Sequence, residues 1–211
     1  MAGKRSLIST RKPHQARSQE TVESILEATA QILGGAHGAN VTTNHIAERA
    51  GVSIGTLYQY FKDKRAVLSE LFIRELQKDS EAIEEVLDVH EYKSIDEVVP
   101  RLIGVVLTRL SEQPKVRQAL MEEFRRSKDF RKRKDIKKHL SIVISNYLRS
   151  HPQFHMPKDI RLELLIMVNA VEAGLNAAIW ELGVRLQRPR LVNEVSDLVL
   201  RYLSKYRITQ N

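Results

Sequence analysis

Three polar side chains in the N-terminal third have the spacing of neighbours on a single helix face. Thr56, Gln59 and Tyr60 are three and four residues apart, and residues with this spacing lie side by side on an α-helix. Their hydroxyl and amide groups both donate and accept hydrogen bonds, and a Gln amide can pair with the edge of an adenine in the major groove. These residue types predict hydrogen bonding to the bases of double-stranded DNA.

Two short helices joined by a glycine turn are predicted to position this face. Gly51 follows an apolar set and can adopt the positive φ that a helix end favours, and Ser53 is a good N-cap for the next helix. In that helix Leu57 and Phe61 are four residues apart and should point inward together. The stretch from Thr43 to Lys64 therefore predicts a narrow, rigidly held helix with outward hydrogen-bonding groups, as major-groove reading requires.

This stretch resembles the DNA-binding signature of TetR-type transcriptional regulators. The string IAERAGVSIGTLYQYFKDK stands behind RSQETVESILEATAQIL, and the similar block runs from about Arg17 to Leu68. The signature residues at set offsets are Ile46, Ala47, Gly51, Val52, Gly55, Thr56, Leu57, Tyr58, Tyr60, Phe61 and Lys64. Two positions depart from the usual pattern. Gly34-Gly35 replaces a more polar pair, which predicts fraying of the first helix, and Arg65 stands where the family often has Glu.

The resemblance implies an all-α fold in which a three-helix helix-turn-helix DNA-binding domain precedes a helical ligand-binding and dimerisation domain. The expected boundaries are a basic arm over 1–16, the DNA-binding domain over 17–66 and the second domain over 67–211. It implies a repressor that a small-molecule effector releases from its operator, because the effector moves the long fourth helix and changes the spacing of two reading heads. The expected DNA-binding residues are Thr43, Asn44, Ser53, Ile54, Gly55, Thr56, Tyr58, Gln59, Tyr60 and Lys64.

The composition is that of an ordinary globular protein with localised positive charge. Of the 211 residues 42% are hydrophobic and 28% charged, and the absence of cysteine excludes disulfides and thiol chemistry. Signal-peptide and membrane-length apolar runs are not evident, so a cytoplasmic protein is expected. The net charge of +8 is concentrated in residues 1–20 and 125–138, which carry +4 and +7.

Each basic cluster has two interpretations. The N-terminal arm either lies along phosphates or in a minor groove, as arms of helix-turn-helix proteins do, or is a tail without a role. The 125–138 run either attracts an anionic ligand or phosphates, or is a solvated helix face, which is the commoner case.

Helical periodicity continues through the whole chain. Helices are predicted at about 18–34, then the short pair, then about 63–88 with Asp63 as cap. A capping box, Ser94 to Glu97, is expected to open the next helix, to about Leu110. Pro114, Pro157 and Pro189 are placed in first helical turns, which predicts helices at about 114–126, 157–185 and 189–206, with another at about 135–150. The chain should be all-helical, with nine or ten helices.

The last two helices are each apolar on two sides, which is typical of helices packed between others. A small-residue face on the first would allow another helix to approach closely. Such a pair predicts a homodimer built as a four-helix bundle, with a palindromic operator. The alternative is that both helices complete a monomer's core. The interface residues expected are Ala170, Ala173, Gly174, Ala177, Val195, Leu198 and Tyr202.

A polar stripe on the same helix is a candidate for ligand binding. Asn169, Glu172, Asn176 and Trp180 follow at steps of three and four residues, and a few polar groups in an apolar wall can orient a ligand. Met121, Phe124 and Met167 are expected in the same cavity. The stripe could equally form a hydrogen-bonded dimer seam or an exposed edge, and methionines at helical spacing are more often plain core.

Catalytic or cofactor chemistry has no positive support in the sequence. His151 and His155 are four residues apart, but Pro152 separates them and neither carboxylate nor cysteine joins them, so a metal site is not expected. Phosphate loops and nucleophile elbows are absent. Two other function classes remain: a non-specific architectural DNA binder, which would bind every duplex alike, and an enzyme on a helical scaffold. Neither a cofactor nor a membrane partner is expected.

Overall fold

The computed structural model describes residues 13–35, 41–88, 94–126, 131–183 and 188–208, and these form helices joined by short turns. Most of the expected basic arm lies outside the described residues. The helices within the described ranges are α1 (Pro13–Gly34), α2 (Thr43–Arg49), α3 (Ile54–Tyr60), α4 (Lys64–Asp88), α5 (Ile95–Glu112), α6 (Pro114–Arg126), α7 (Arg131–Ser150), α8 (Arg161–Leu182) and α9 (Arg188–Ser204). The all-α expectation is confirmed.

The N-terminal helices pack around one apolar cluster, here called the head core. Ile25 on α1, Ile46 on α2, Leu57 on α3 and Leu71 on α4 are completely buried in it. These residues come from the apolar faces that periodicity predicts. Burial of one such side chain stabilises the fold by about 1.5–3 kcal/mol, so four short apolar faces suffice to hold helices that would be marginal alone.

A second apolar cluster lies among α5, α7, α8 and α9. Its buried members include Leu107, Leu148, Leu175 and Val199. Beyond α7, the backbone of Phe154 pairs with that of Arg207 in an isolated antiparallel bridge, where the His155 amide donates to Tyr206 and the Ile208 amide donates to Gln153. This bridge fixes the end of the described chain against the turn that follows α7.

One helix of the second domain also belongs to the head core. Val116 and Leu120 on α6 are buried among the residues of α1 and α4. The long helix α4 likewise begins in the head core and continues beside α5, α6 and α7. Because α4 and α6 share this core with α2 and α3, a movement of α4 or α6 changes the packing of the two short helices.

Helix boundaries differ from the predictions at several points. Helix α1 begins at Pro13 rather than near Ser18, because Pro needs no N–H partner in a first turn. Helix α7 begins at Arg131 instead of near 135. Helix α8 begins at Arg161, so Pro157 lies in the preceding loop and not in a first turn. At the other end of α1 the Gly35 amide still donates to Gln31 and Ile32, and the helix is closed at the glycine pair.

The expected capping box at Ser94 is wrong. Ser94 is the N-cap of α5, but its side chain makes no cap hydrogen bond. Its hydroxyl instead donates to the Glu97 carboxylate, at 3.4 Å. The two side chains thus bond to each other and not to the free backbone N–H groups of the first turn. The negative charges of Asp96 and Glu97 in that turn can still stabilise the helix start, because they interact favourably with the helix dipole.

Candidate functional site

Two buried side chains anchor helix α3 to the core, and an N-cap stabilises its first turn. Leu57 is completely buried and Phe61 almost so. Gly51 has φ of 67°, the left-handed conformation expected of it, and the Ser53 hydroxyl accepts a hydrogen bond from the Thr56 amide at 2.9 Å. The short helix is therefore held at both ends, as a reading helix must be.

The outer face of α3 presents the predicted polar groups to solvent. Gln59 and Tyr60 are exposed, while Thr56 is partly covered. The Thr56 hydroxyl lies 2.8 Å from that of Ser53, so part of its hydrogen-bonding capacity is used locally. Gln59 is accordingly better placed than Thr56 to contact a base edge.

A contact between α2 and α3 sets the edge of this surface. The Tyr58 hydroxyl lies 3.2 Å from the Thr43 hydroxyl, and Tyr58 is about half exposed, at 52%. Lys64 is exposed at the start of α4. Of the ten residues predicted to bind DNA, Thr43 and Thr56 are partly covered and the other eight are exposed. All ten residues, which lie on or next to α2, α3 and the start of α4, are therefore at least partly accessible to solvent.

A cavity of about 200 Å³ lies inside the second domain, where α4, α5, α6, α7, α8 and α9 all contribute to its wall. Most of the lining side chains are aliphatic, and Phe72, Leu76 and Leu120 belong both to this wall and to the head core or its margin. An apolar cavity with a few polar groups is the usual form of a small-molecule site. The polar lining residues are Glu75, Asp79, Ser80, Arg117, Lys137, Tyr147, Glu172 and Asn176.

Ion pairs between helices form much of the charged part of the wall. Asp79 on α4 accepts hydrogen bonds from Arg117 on α6, at 2.7 and 2.9 Å, and from Nε of Arg109 on α5, at 3.2 Å. Lys137 on α7 pairs with Glu172 on α8. Each pair joins two helices across the cavity edge, so a ligand that competes for one partner would change how those helices are held together.

Only part of the predicted polar stripe reaches this cavity. Glu172 and Asn176 line it, together with the predicted Met121 and Met167. Asn169 is exposed, where its side chain accepts from Lys137 at 3.1 Å and donates to the Leu165 carbonyl, and Trp180 is 46% exposed. The stripe is therefore divided between the cavity wall and the solvent-exposed surface of α8. The side chain of Phe124 lies outside the described part of the structure.

The most strongly paired polar residues of the wall were missed by the sequence analysis. Glu75, Asp79 and Arg117 are not among the candidate site residues that the sequence predicts. Glu75 and Asp79 do lie at steps of three and four from the apolar residues Phe72 and Ile83, which places them on the inner face of α4. Their position on the inner face of α4 was the sequence signal that could have identified them as buried polar residues.

An apolar face of α8 remains uncovered in the single chain. Ala170, Ala173, Gly174 and Ala177, all predicted for the interface, are exposed. The same face continues through Leu162, Leu165 and Ile166, which are half or more exposed and which the prediction omitted. Their spacing from the small residues, at three and four, was a signal that could have found them.

Helix α9 contributes less to this face than expected. Leu198 is 56% exposed and Tyr202 is partly exposed, but Val195 is buried in the second apolar cluster. The prediction of Val195 for the dimer interface does not fit its burial within the single chain, because Val195 lies on the inner side of α9.

Helix α8 is also the one helix of the described residues that is long and apolar enough to cross a membrane, over Arg161–Glu181, with 11% of that window buried. By itself this is weak evidence for a membrane span. Because so little of the helix is buried within the chain, the apolar face needs a partner in water.

Two of the groups with a perturbed pKa, His151 and Asp159, lie at the far end of the second domain. Burial lowers the pKa of His151, although Asp96 acts to raise it. Hydrogen bonds from Arg161 hold the pKa of Asp159 at about 2. Neither residue lines the cavity, and among the described residues no group of three or more His, Cys, Asp or Glu side chains could hold a metal ion.

Two family models match the chain. The model for bacterial regulatory proteins of the tetR family matches residues 25–71. The model described as tetracyclin repressor-like, C-terminal domain, matches residues 94–203. No curated protein matches the chain.

Solved structures share this fold at low sequence identity. A TetR-family transcriptional regulator from Streptomyces coelicolor superposes with a TM-score of 0.69 at 23% identity, covering 90% of this chain and 98% of the other. The fatty acid degradation regulator FadR from Bacillus halodurans gives 0.65 at 19% identity, covering 91% and 97%. SmeT, the repressor of the Stenotrophomonas maltophilia multidrug efflux pump SmeDEF, gives 0.63 at 21% identity, covering 90% and 92%. SmeT in a triclosan complex gives 0.58 at 20% identity, covering 86% and 90%.

Proposed function

The chain belongs to the TetR family of bacterial transcriptional regulators, and we propose that it is a dimeric repressor which a small-molecule effector releases from a palindromic operator. Residues 17–66 would bind DNA and residues 67–211 would bind the effector and the second subunit. Such a protein works in the cytoplasm and needs no catalytic step. One observation carries the proposal: Phe72 and Leu120 belong to the head core and also line the cavity.

The DNA-binding part of the proposal rests on the exposed face of α3 and its surroundings. Gln59 is exposed on a helix that Leu57 and Phe61 hold rigidly, so the helix can present its amide to a base edge without a rearrangement of the backbone. Tyr58, Tyr60 and Lys64 are exposed around it and are suited to phosphate contacts, which orient a reading helix.

The dimer is supported by the uncovered face of α8 and α9. In a two-fold pair, Leu165 and Ile166 would pack against the same face of the second subunit, and the small residues Ala173 and Ala177 would let the helices approach closely. The two copies of α3 would then contact two half-sites separated by a whole number of helical turns.

Release by an effector is supported by the way the cavity meets the head. A ligand that widens the cavity moves α6 and α4, which carry Leu120 and Phe72 into the head core. Two heads that fit successive major grooves lose contacts when their spacing changes, so the effector only needs to prefer the mismatched spacing. SmeT, which shares the fold, is a repressor with a triclosan complex.

Selection of bound fragments from random DNA tests the proposal directly. The protein should enrich one palindromic sequence, and it should bind that duplex at least about a thousandfold more tightly than unrelated DNA at the same salt concentration. Repeating the binding measurement with a panel of small molecules should identify compounds that lower operator affinity. Equal affinity for all duplexes would instead identify a non-specific architectural binder.

A further inference from the structure

Every charged side chain in the described wall of the cavity has a partner of opposite charge. The lining charges are Glu75, Asp79, Arg117, Lys137 and Glu172. Arg117 donates to Asp79, at 2.7 and 2.9 Å. Lys137 pairs with Glu172. The third carboxylate, on Glu75, lies 3.4 Å from Lys78 and 3.6 Å from Arg109, and neither of these cations lines the cavity. The wall thus contains three carboxylates and two cations, and the additional carboxylate is balanced from behind the wall.

A charged ligand would consequently have to disturb one of these ion pairs or remain unpaired. If its charge bound one member of a pair, the other member would lose that partner at the edge of an apolar cavity. If its charge bound neither member, it would lie in the cavity without a counter-ion. Both outcomes are unfavourable, because a charge that leaves water needs a close partner to replace the water. An uncharged molecule avoids both.

The apolar part of the wall is aliphatic and elongated. Phe72 and Leu87 both line the cavity, and Leu87 follows Phe72 by 15 residues on α4, which corresponds to roughly 22 Å along a helix. Among the described lining residues Phe72 and Tyr147 have aromatic rings, and most of the others are Leu, Ile or Val. A planar aromatic ligand would find few stacking partners there, whereas a saturated chain can contact aliphatic side chains along the whole wall.

Asn176 provides this cavity with a neutral hydrogen-bond acceptor. Its Nδ2 atom donates to the Glu172 carbonyl, at 2.8 Å, and this bond identifies the other terminal atom of the amide as the oxygen. Within the described part of the chain that oxygen, Oδ1, makes no hydrogen bond. Ser80, a second neutral lining residue, donates its hydroxyl hydrogen to Glu84, at 2.9 Å. Both side chains use their donors locally and keep acceptor capacity, so the matching ligand group is a hydrogen-bond donor.

We propose that the effector is an uncharged aliphatic molecule with a hydroxyl group, and that this hydroxyl donates a hydrogen bond to Oδ1 of Asn176. This inference rests on the proposed function, since it names the chemistry of the effector. A hydroxyl is an uncharged donor, so it can bond to Asn176 without breaking an ion pair. The aliphatic part of the molecule contacts the elongated wall, whose residues Phe72 and Leu120 also belong to the head core. Occupation of the cavity thereby changes the packing of the head.

Three probes of equal chain length test the absence of charge by calorimetric titration below their micelle concentrations: decanol, decanoate and decylammonium. Decanol should bind at least about tenfold more tightly than either charged probe, because only decanol enters the cavity without disturbing an ion pair. Binding of either charged probe that equals or exceeds that of decanol would overturn the proposal.

A fourth probe tests the hydroxyl. Nonyl methyl ether is an isomer of decanol whose oxygen accepts hydrogen bonds but cannot donate one. The parent protein should bind decanol about fivefold more tightly than the ether, since the ether leaves Oδ1 of Asn176 without a donor. Equal affinities for the two isomers in the parent protein would overturn the hydroxyl as the recognised group.

Two variants then test the residue. Asn176→Leu removes the acceptor at nearly the same side-chain volume, so the decanol-to-ether ratio of affinities should fall to about one. Affinity for the ether should stay within about threefold, which also shows that the cavity remains folded. Asn146→Leu is the matched control, because it makes the same change at an exposed position of α7 that does not line the cavity. A ratio that survives in Asn176→Leu, or that is lost in both variants, would overturn the role of Asn176.

Operator binding by the ligand-free protein, measured in parallel, separates this inference from the proposed function. Failure to enrich any operator would overturn the proposed function, whatever the probes do. Operator binding with no preference for decanol would overturn the ligand class and leave the repressor proposal in place. Decanol that lowers operator affinity at lower concentrations in the parent protein than in Asn176→Leu would support both.

Discussion

The Asp79 carboxylate on α4 accepts hydrogen bonds from both terminal nitrogens of Arg117 on α6, at 2.9 Å and 2.7 Å. Arg109 on α5 donates to the same carboxylate, so one acidic side chain holds three helices together. These helices enclose the cavity and two of them enter the head core. Asp79 thus connects three helices of the cavity wall, two of which also contribute to the head core.

Loss of this carboxylate should destabilise the protein more than loss of a surface ion pair. We expect Asp79→Asn to lower the free energy of unfolding by about 2–4 kcal/mol, because two arginines that are mostly buried lose their shared acceptor. Glu123→Gln is the control, since its partner Arg65 is 61% exposed, and it should change the free energy by less than about 1 kcal/mol. Urea unfolding of both variants measures the difference. Equal effects would contradict the importance assigned to Asp79.

Gln59 should determine the preference at one base pair of each half-site. We expect Gln59→Ala to weaken binding to the best operator by about 1–3 kcal/mol and to relax the preference at that position. A panel of operators with single base changes measures this. Preference that stays unchanged at every position would show that Gln59 does not contact a base.

Lys64 should contribute to binding without contributing to sequence preference. Because it is exposed at the start of α4, a phosphate contact is expected. Lys64→Ala should weaken all duplexes about equally and lower the slope of log affinity against log salt by roughly one unit. Titrations at several salt concentrations, on operator and on unrelated DNA, measure both effects. Selective loss at a single base pair would contradict the phosphate role.

The exposed small residues of α8 should be essential for dimerisation. Ala173→Glu or Ala177→Glu introduces a charge where we expect close helix approach, so the protein should sediment as a monomer. Operator affinity should fall when the dimer is lost, because a single head lacks the added affinity of a second half-site. Gln118→Glu on the exposed side of α6 is the control for the change of charge and should remain dimeric. A dimeric Ala173→Glu protein would place the interface elsewhere.

His151 should make the protein less stable in mild acid. Burial lowers its pKa below the usual 6.5, so between the two values the unfolded chain binds a proton that the folded chain does not. Its contribution to stability is therefore complete above about pH 6.5 and decreases as the pH falls from there towards the folded pKa.

Comparison with His151→Gln isolates this effect from the other histidines. When the pH is lowered from ~7.5 to ~5.5, the urea concentration at the unfolding midpoint should fall less for the variant than for the parent. The variant should also be less stable at the higher pH, since it loses ring contacts with Tyr147 and Phe154. An identical pH dependence in the two proteins would show that His151 does not titrate in this way.

The sequence by itself determined the reading unit and the helical class. The positive φ of Gly51 and the cap at Ser53 depend on interactions within a few residues, and the shared inward face of Leu57 and Phe61 follows from their spacing of four. Local spacing is therefore sufficient to predict them. The predicted helices were also found. Two details differed: α8 begins at Arg161 and not at Pro157, and the Ser94 hydroxyl contacts Glu97 instead of capping α5. Apolar periodicity does not report on either of these features.

Tertiary structure alone decided what the polar groups of the second domain contact. Asp79, Arg109 and Arg117 lie on three different helices, and only packing brings them to one point. The same holds for the polar stripe of α8, where Asn176 lines the cavity and Asn169 is exposed. A helix that is apolar on several sides does not specify which side meets which neighbour, so the cavity and the uncovered face depend on how the helices pack.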